Sequence, residues 1–198
     1  MFGKSIVLSV FGEYLIKENK KICIIDCSFE NNTLKIINRN LINNKKKFIE
    51  NKKYIFCENK DNFYSDFKKY IDENKEIYDF ILIDYIFYFN FIFSKYILEL
   101  SDEIFFLIEP NITELEKAKS ILEIFKYDFN ISNKKIKIIY NKVNKYQISD
   151  DILREILGDY EVLTKIKYIE QYNLIINTQK IKGIDEEPYK IIFEKIFR

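Results

Sequence analysis

YDFILID, residues 78–84, is the stretch on which the reading of the fold turns. Phe80 to Ile83 are apolar at every position, and the run ends on a carboxylate, Asp84. A strand with one wet face alternates apolar and polar residues, so an unbroken apolar run of strand length implies cover on both faces. The reading is a central parallel strand that carries Asp84 to the carboxyl edge of a sheet, where open α/β sheets bind ligands. The same form recurs on either side, at Ile22 to Ile25 followed by Asp26, at Ile104 to Ile108, at Ile136 to Tyr140 and at Val162 to Tyr168. A further strand is expected at Tyr54 to Cys57.

Helical periodicity fills the intervals. Ile6, Val7, Val10, Phe11, Tyr14 and Leu15 recur at three and four residues within Ser5 to Asn19. Helices are also expected from Thr33 to about Leu41, from an Asp61 cap to about Asn74, from Thr113 to Lys126 and from Asp150 to Leu157. Pro188 suits the first turn of a last helix running to Phe197. Strands alternating with helices define an α/β fold, a single three-layer domain over residues 1–198 with a mostly parallel sheet flanked by helices.

Composition closes off much chemistry. The 198 residues contain no histidine, which excludes imidazole bases, Ser-His-Asp and Cys-His nucleophiles and His-ligated zinc. Lys and Arg number 32 against 31 Asp and Glu, so no bulk positive field holds the chain to nucleic acid. Cys23, Cys27 and Cys57 form no CxxC pair and are read as reduced thiols. The start MFGKSIVLSV has no cleavage site of signal-peptide type, and the longest apolar candidate, Tyr78 to Phe93, is broken by Asp79, Asp84 and Asn90. A cytoplasmic location is expected.

Gly3-Lys4-Ser5 opens the first helix. There, backbone amides, the helix dipole and a lysine can together hold phosphates, while a serine hydroxyl reaches a magnesium ion. The triplet gains weight from its company: a helix, a strand and Asp26 follow at once, and Asp84 ends a later apolar strand as a magnesium-side carboxylate does.

With these residues in place, the chain resembles the ParA/MinD-type P-loop ATPases over nearly its whole length. Gly3-Lys4-Ser5, the helix SIVLSVFGEYLIKENKK and the strand ICIID resemble the phosphate loop, first helix and second strand of that family. Lys4 and Asp26 stand 22 residues apart, the family's usual interval. YDFILID is similar to its Walker B strand, and SDEIFFLIEPNITELEKAKSILEIFK to its next strand, Glu-Pro turn and helix. IKIIYNKVN resembles the strand presenting an adenine-contacting asparagine, here Asn141. The resemblance implies ATP and Mg as cofactors, with Gly3, Lys4, Ser5 and Asn141 on the nucleotide, Ser5 and Asp84 on the metal, and Asp26 as the candidate catalytic residue orienting water. It also implies a homodimer. The Glu-Pro segment looks most like the branch that positions Flp/Tad pilus machinery.

The departures are as specific as the matches. The family's loop reads KGGxGK[ST]T after a strand, whereas here only Met1 and Phe2 precede Gly3, and Ile6 replaces a second hydroxyl residue. The first strand and the first signature lysine are therefore expected to be missing, through a recorded start downstream of the true one or through degeneration. Ser28 stands where a second carboxylate would help position water, and Tyr85-Ile86-Phe87-Tyr88 replaces a polar switch. These departures point to a degenerate, weak or inactive ATPase that serves as a positioning or assembly factor for a pilus or secretion machine, through protein partners. An active Mg-ATP hydrolase with an incomplete start, and a DNA-linked partition or conjugation protein using Lys45 to Lys47 with Lys52 and Lys53, are the alternatives. The last helix places Tyr189, Ile192, Phe193 and Ile196 on one side, for packing on the sheet or for contact with a membrane at a pole or assembly site. The aromatic cluster Tyr85 to Phe93 is read as core or as a partner surface.

Overall fold

The structure is a computed structural model that describes residues 3–27, 49–53, 63–85, 87, 91–168 and 183–196. The expected helix at Thr33 to Leu41, the strand at Tyr54 to Cys57, the Asp61 cap, Ser28 and Lys45 to Lys47 lie outside the described residues. The chain forms two compact units, one of residues 1–89 with 170–193 and one of residues 90–169 with 194–198.

In the first unit α1 (Gly3–Lys17) leads into β1 (Ile22–Asp26), followed by β2 (Ile49–Lys53), α2 (Phe63–Asn74) and β3 (Phe80–Asp84). The sheet order is β2-β1-β3 with every pairing parallel, and β1 is buried at all five positions. A parallel strand shut in on both faces has no polar face to show, which is why ICIID is a continuous apolar run; β3, expected to be central, instead ends this sheet among the described residues and is half-buried from Phe80 to Ile83. β2 is a correction: no strand is expected from its residues, IENKK, which lie just before the strand expected at Tyr54 to Cys57.

α1 is buried at Ser5, Ile6 and Val7 and again at Ser9, Val10 and Phe11, which leaves no single apolar stripe. A helix apolar on most sides is an interior helix. Gly12 lets it approach the sheet, since a Cβ there would lie 3.3 Å from Ile24 Cδ1 and 3.4 Å from Ile22 Cδ1. The helix stops at Lys17 because Asn19 turns left-handed at φ 59°, with Lys20 N–H donating to Leu15 C=O and Asn19 N–H to Ile16 C=O. That is a Schellman cap in which asparagine stands in for glycine.

In the second unit α3 (Phe91–Leu100), β4 (Ile104–Ile108), α4 (Ile112–Glu123), β5 (Ile136–Val143), α5 (Asp150–Leu157) and β6 (Glu161–Lys167) follow in turn. The sheet order is β4-β5-β6, again parallel throughout. Asn111 caps α4 by accepting from Glu114 N–H at 3.0 Å, and Ser149 caps α5 by accepting from Ile152 N–H. Beyond Glu123 the helix widens into a π turn, Ile124–Asp128, that stacks Phe125 on Phe129 at 6.1 Å. α3 resolves the aromatic cluster: Phe93 is buried, while Phe91 and Ile92 on the first turn are exposed. A last helix, α6 (Glu187–Ile196), buries Pro188, Tyr189 and Ile192 and meets α1 where Phe193 packs edge-on against Tyr14 at 5.9 Å.

Candidate functional site

The carboxyl edge of the first sheet gathers four of the residues singled out from the sequence. In the parallel register Asp26 on β1 is the direct partner of Asp84 on β3, so both carboxylates stand side by side on one face. They are 0% and 3% exposed. Ser5, in the first turn of α1, donates its hydroxyl to Asp84 Oδ2 at 2.7 Å across 79 residues of sequence. Ser9, one turn on, donates to Ser5 C=O at 2.6 Å and bonds α1's backbone from inside. Cys27 N–H donates to Asp84 C=O at 2.9 Å and ties the two strand ends together.

Lys4 is half-buried beside Ser5. Burial pulls its ammonium below the usual lysine range, and the Asp84 carboxylate pulls the other way. A lysine whose charge is poorly solvated and faces a carboxylate is prepared for an anion that completes its neutralisation. The first N–H groups of α1 have no partner within the helix and point out at this end, adding positive potential. One lysine and a helix terminus thus adjoin two buried carboxylates, an arrangement matched to an anion and a divalent cation held together.

Burial, and then the Asp26 and Asp84 carboxylates, drive the Cys27 thiol far above the usual range. Cys23 is equally enclosed, its sulfur 3.3 Å from the Tyr70 hydroxyl. Iodoacetamide at pH 8 is therefore expected to leave both unmodified in the native chain and to alkylate both after denaturation, as read by peptide mass mapping. Rapid native alkylation of Cys27 would contradict the closed edge described here.

Asn141 lies in the second unit, near the end of β5, and is 4% exposed. Its Oδ1 is buried without a hydrogen-bond partner. The pairing of β5 with β6 shifts register between Tyr140 and Val143, and Lys142 inside that irregularity is left-handed at φ 59°, with its ammonium paired to Glu109. A buried amide oxygen lacking a donor, next to a strained residue, marks an atom waiting for a hydrogen-bond donor. Among the described residues no group of three or more Cys, Asp and Glu side chains gathers to hold a metal.

Sequence reasoning found Lys4, Ser5, Asp26 and Asp84 but not Ser9 or the Cys27 amide. A buried serine four residues after Ser5 is a usable signal for the first. A backbone amide has none.

The fold is that of the ParA/MinD-type ATPases. The chain is similar to the MinD cell division protein of Aquifex aeolicus, with a TM-score of 0.76 and 16% identity, covering 100% of this chain and 93% of that one. A structure of the MinC:MinD complex of Aquifex aeolicus matches at TM-score 0.76 and 14% identity, over 100% of this chain and 92% of that one. A plasmid partition protein of Borrelia burgdorferi bound to AMPPNP matches at TM-score 0.75 and 16% identity, over 96% of this chain and 92% of that one. No protein-family description and no curated protein sequence matches the chain.

Proposed function

We propose that the chain binds Mg-ATP weakly, turns it over slowly or not at all, and acts through protein contacts as a positioning or assembly factor. The observation that carries this reading is the buried Ser5–Asp84 pair at 2.7 Å, with Lys4 alongside and Asp26 next in register. Adjacent oxygens around a magnesium ion stand about 3.0 Å apart, for metal–oxygen distances of roughly 2.1 Å. The two oxygens are already spaced close to neighbouring positions of that shell. Magnesium commonly takes only one or two protein ligands and fills the rest with water and phosphate, so a site without a carboxylate cluster fits it. Bound there, the ion would neutralise phosphate charge and Lys4 would hold phosphate oxygens; for Asn141, in the other unit, the adenine role is proposed from the family resemblance alone.

Slow turnover follows from what surrounds this core. Ile6 stands where a second hydroxyl residue would follow Ser5, and Ser28 offers no carboxylate to orient water. Tyr85 and Phe87, both half-buried, stand where a polar loop would respond to the last phosphate. The likeness to a MinC:MinD complex supports a protein partner, and a homodimer is proposed from the family resemblance. A pilus or secretion machine remains the proposed cargo, on the Glu109-Pro110 turn after β4.

Calorimetry with Mg-ATP tests the binding half, and phosphate release tests the other. The expected result is a Kd of about 10–100 μM, roughly −7 to −5.5 kcal/mol, with release no faster than in Asp84→Asn. Rapid release that is lost in Asp84→Asn would overturn the slow-turnover reading. Absence of any Mg-ATP binding would overturn the nucleotide reading.

A further inference from the structure

We propose that Glu13, Lys17 and Glu186 form a pH-sensitive latch that closes the segment entering α6 onto α1 in mildly acidic conditions and releases it toward neutral pH. The three carboxyl and ammonium groups share one cleft, lined by Val10, Glu13, Tyr14 and Lys17 from α1 and by Gly183, Ile184 and Glu186 from the segment before α6. Lys17 and Glu186 form an ion pair across 169 residues of sequence, and Glu13 lies one helical turn before Lys17 on the same face of α1.

One ammonium therefore stands between two carboxyl groups. If both carboxyls ionise, one charge goes unbalanced in a half-buried cleft, and Glu13 competes with Glu186 for Lys17. Burial is the main force pushing the Glu13 carboxyl up, to about 7; Lys17 opposes it and Glu186 adds to it. The charges acting on Glu13 are thus Lys17 from its own helix and Glu186 from the facing segment, with Tyr14 lining the same cleft. β1 and β3, on the sheet side of α1, present Ile22, Ile24 and Leu82 beside Gly12.

The direction of the response follows. In the closed form the Glu13 carboxyl keeps its proton up to about pH 7, and when solvated it reverts toward its ordinary value of 4.5. The closed form binds the proton more tightly, so it is favoured below that window and loses ground as pH rises from about 5 to about 7.5. Above 7.5 both forms are ionised and the response levels off.

The segment has a pivot on one side and the capped start of α6 on the other. Gly183 is left-handed at φ 66°, with open space around the place of a Cβ, and offers a pivot. Asp185 Oδ1 accepts from Glu187 N–H at 3.1 Å, and Glu186 C=O accepts from Tyr189 and Lys190 N–H, so the latch carboxylate sits on the capping residue of α6. Releasing Glu186 frees the start of that helix.

Hydrogen exchange of the full chain, read by mass spectrometry in peptides covering residues 183–193, tests the latch. Comparing wild type with Glu13→Gln at each pH cancels the intrinsic pH dependence of exchange. The wild-type to Glu13→Gln exchange ratio is expected to rise about tenfold between pH 5 and 7.5, less than the full shift allows because the cleft is partly open to solvent. Lys17→Met is expected to exchange at pH 5 at least as fast as wild type does at pH 7.5. A ratio constant across the range, or a Lys17→Met variant as protected as wild type at pH 5, would overturn the proposal.

Discussion

Lys4→Met is expected to lower Mg-ATP affinity about a hundredfold, close to 3 kcal/mol, while leaving thermal stability equal to wild type or slightly higher. The two effects diverge because the same burial produces both. Lys4 is half-buried and its ammonium is poorly solvated, so the folded chain carries a charge that it would hold more easily as an amine. Its pKa lies lower in the fold than in the unfolded chain, so folding is penalised wherever the side chain is charged. Methionine keeps the volume and removes that penalty. The advantage of the variant should shrink as pH climbs toward 10.5, where the lysine in both states becomes neutral. Against a phosphate the same weakly solvated charge is an asset, because a charge-assisted bond gains most where water is scarce. Calorimetry and thermal melts on the pair of proteins check both halves. Equal affinities would remove Lys4 from the proposed nucleotide site, and a melt several degrees lower would make it a structural residue instead.

Gly12→Leu is expected to destabilise the chain by roughly 3 kcal/mol or more, a fall in Tm of about 6–12 °C, while Gly12→Ala is close to neutral. The alanine methyl meets only the flexible ends of Ile24 and Ile22, at 3.3 and 3.4 Å, and needs each to give by a few tenths of an ångström. Alanine also gains about 1 kcal/mol of helix propensity over glycine, which offsets that strain. Leucine adds three further carbons where Leu82 Cδ1 already lies 3.9 Å away, so α1 must lift from the sheet. Lifting α1 would part Ser5 from Asp84. A Gly12→Leu protein that melts with wild type would show that α1 does not rest on β1 as described.

What could be read in the sequence, and what could not, follows from how many faces each element covers. β1 is covered on both sides and ICIID announces it, whereas FILID and IFFLI read the same way although β3 and β4 are half-buried through their middles; Asp84 closes its strand as expected because a carboxylate ending such a run has few other positions to occupy. β2 was missed because Ile49–Lys53 reads IENKK, a strand through its pairing with β1 and not through its own residues. α3 was missed for the opposite reason: FIFSKYILEL is so apolar that its period is hard to see, although Phe93, Ser94, Ile97 and Leu98 are the buried set. Ser5 and Asp84 were each legible from a motif, whereas their 2.7 Å contact is a product of the sheet. Glu13 and Glu186 carry no motif at all. Only the fold brings them to one lysine.

The burial of α1 has a consequence for how the protein is made. Its apolar faces find cover from β1 and from β3, and β3 ends at residue 84. At translation speeds of about 5–20 residues per second, the helix is synthesised roughly 3–13 s before the strand that covers it. During that interval α1 lacks the native surface of β3, and its apolar faces are open to a holding chaperone at the ribosome exit.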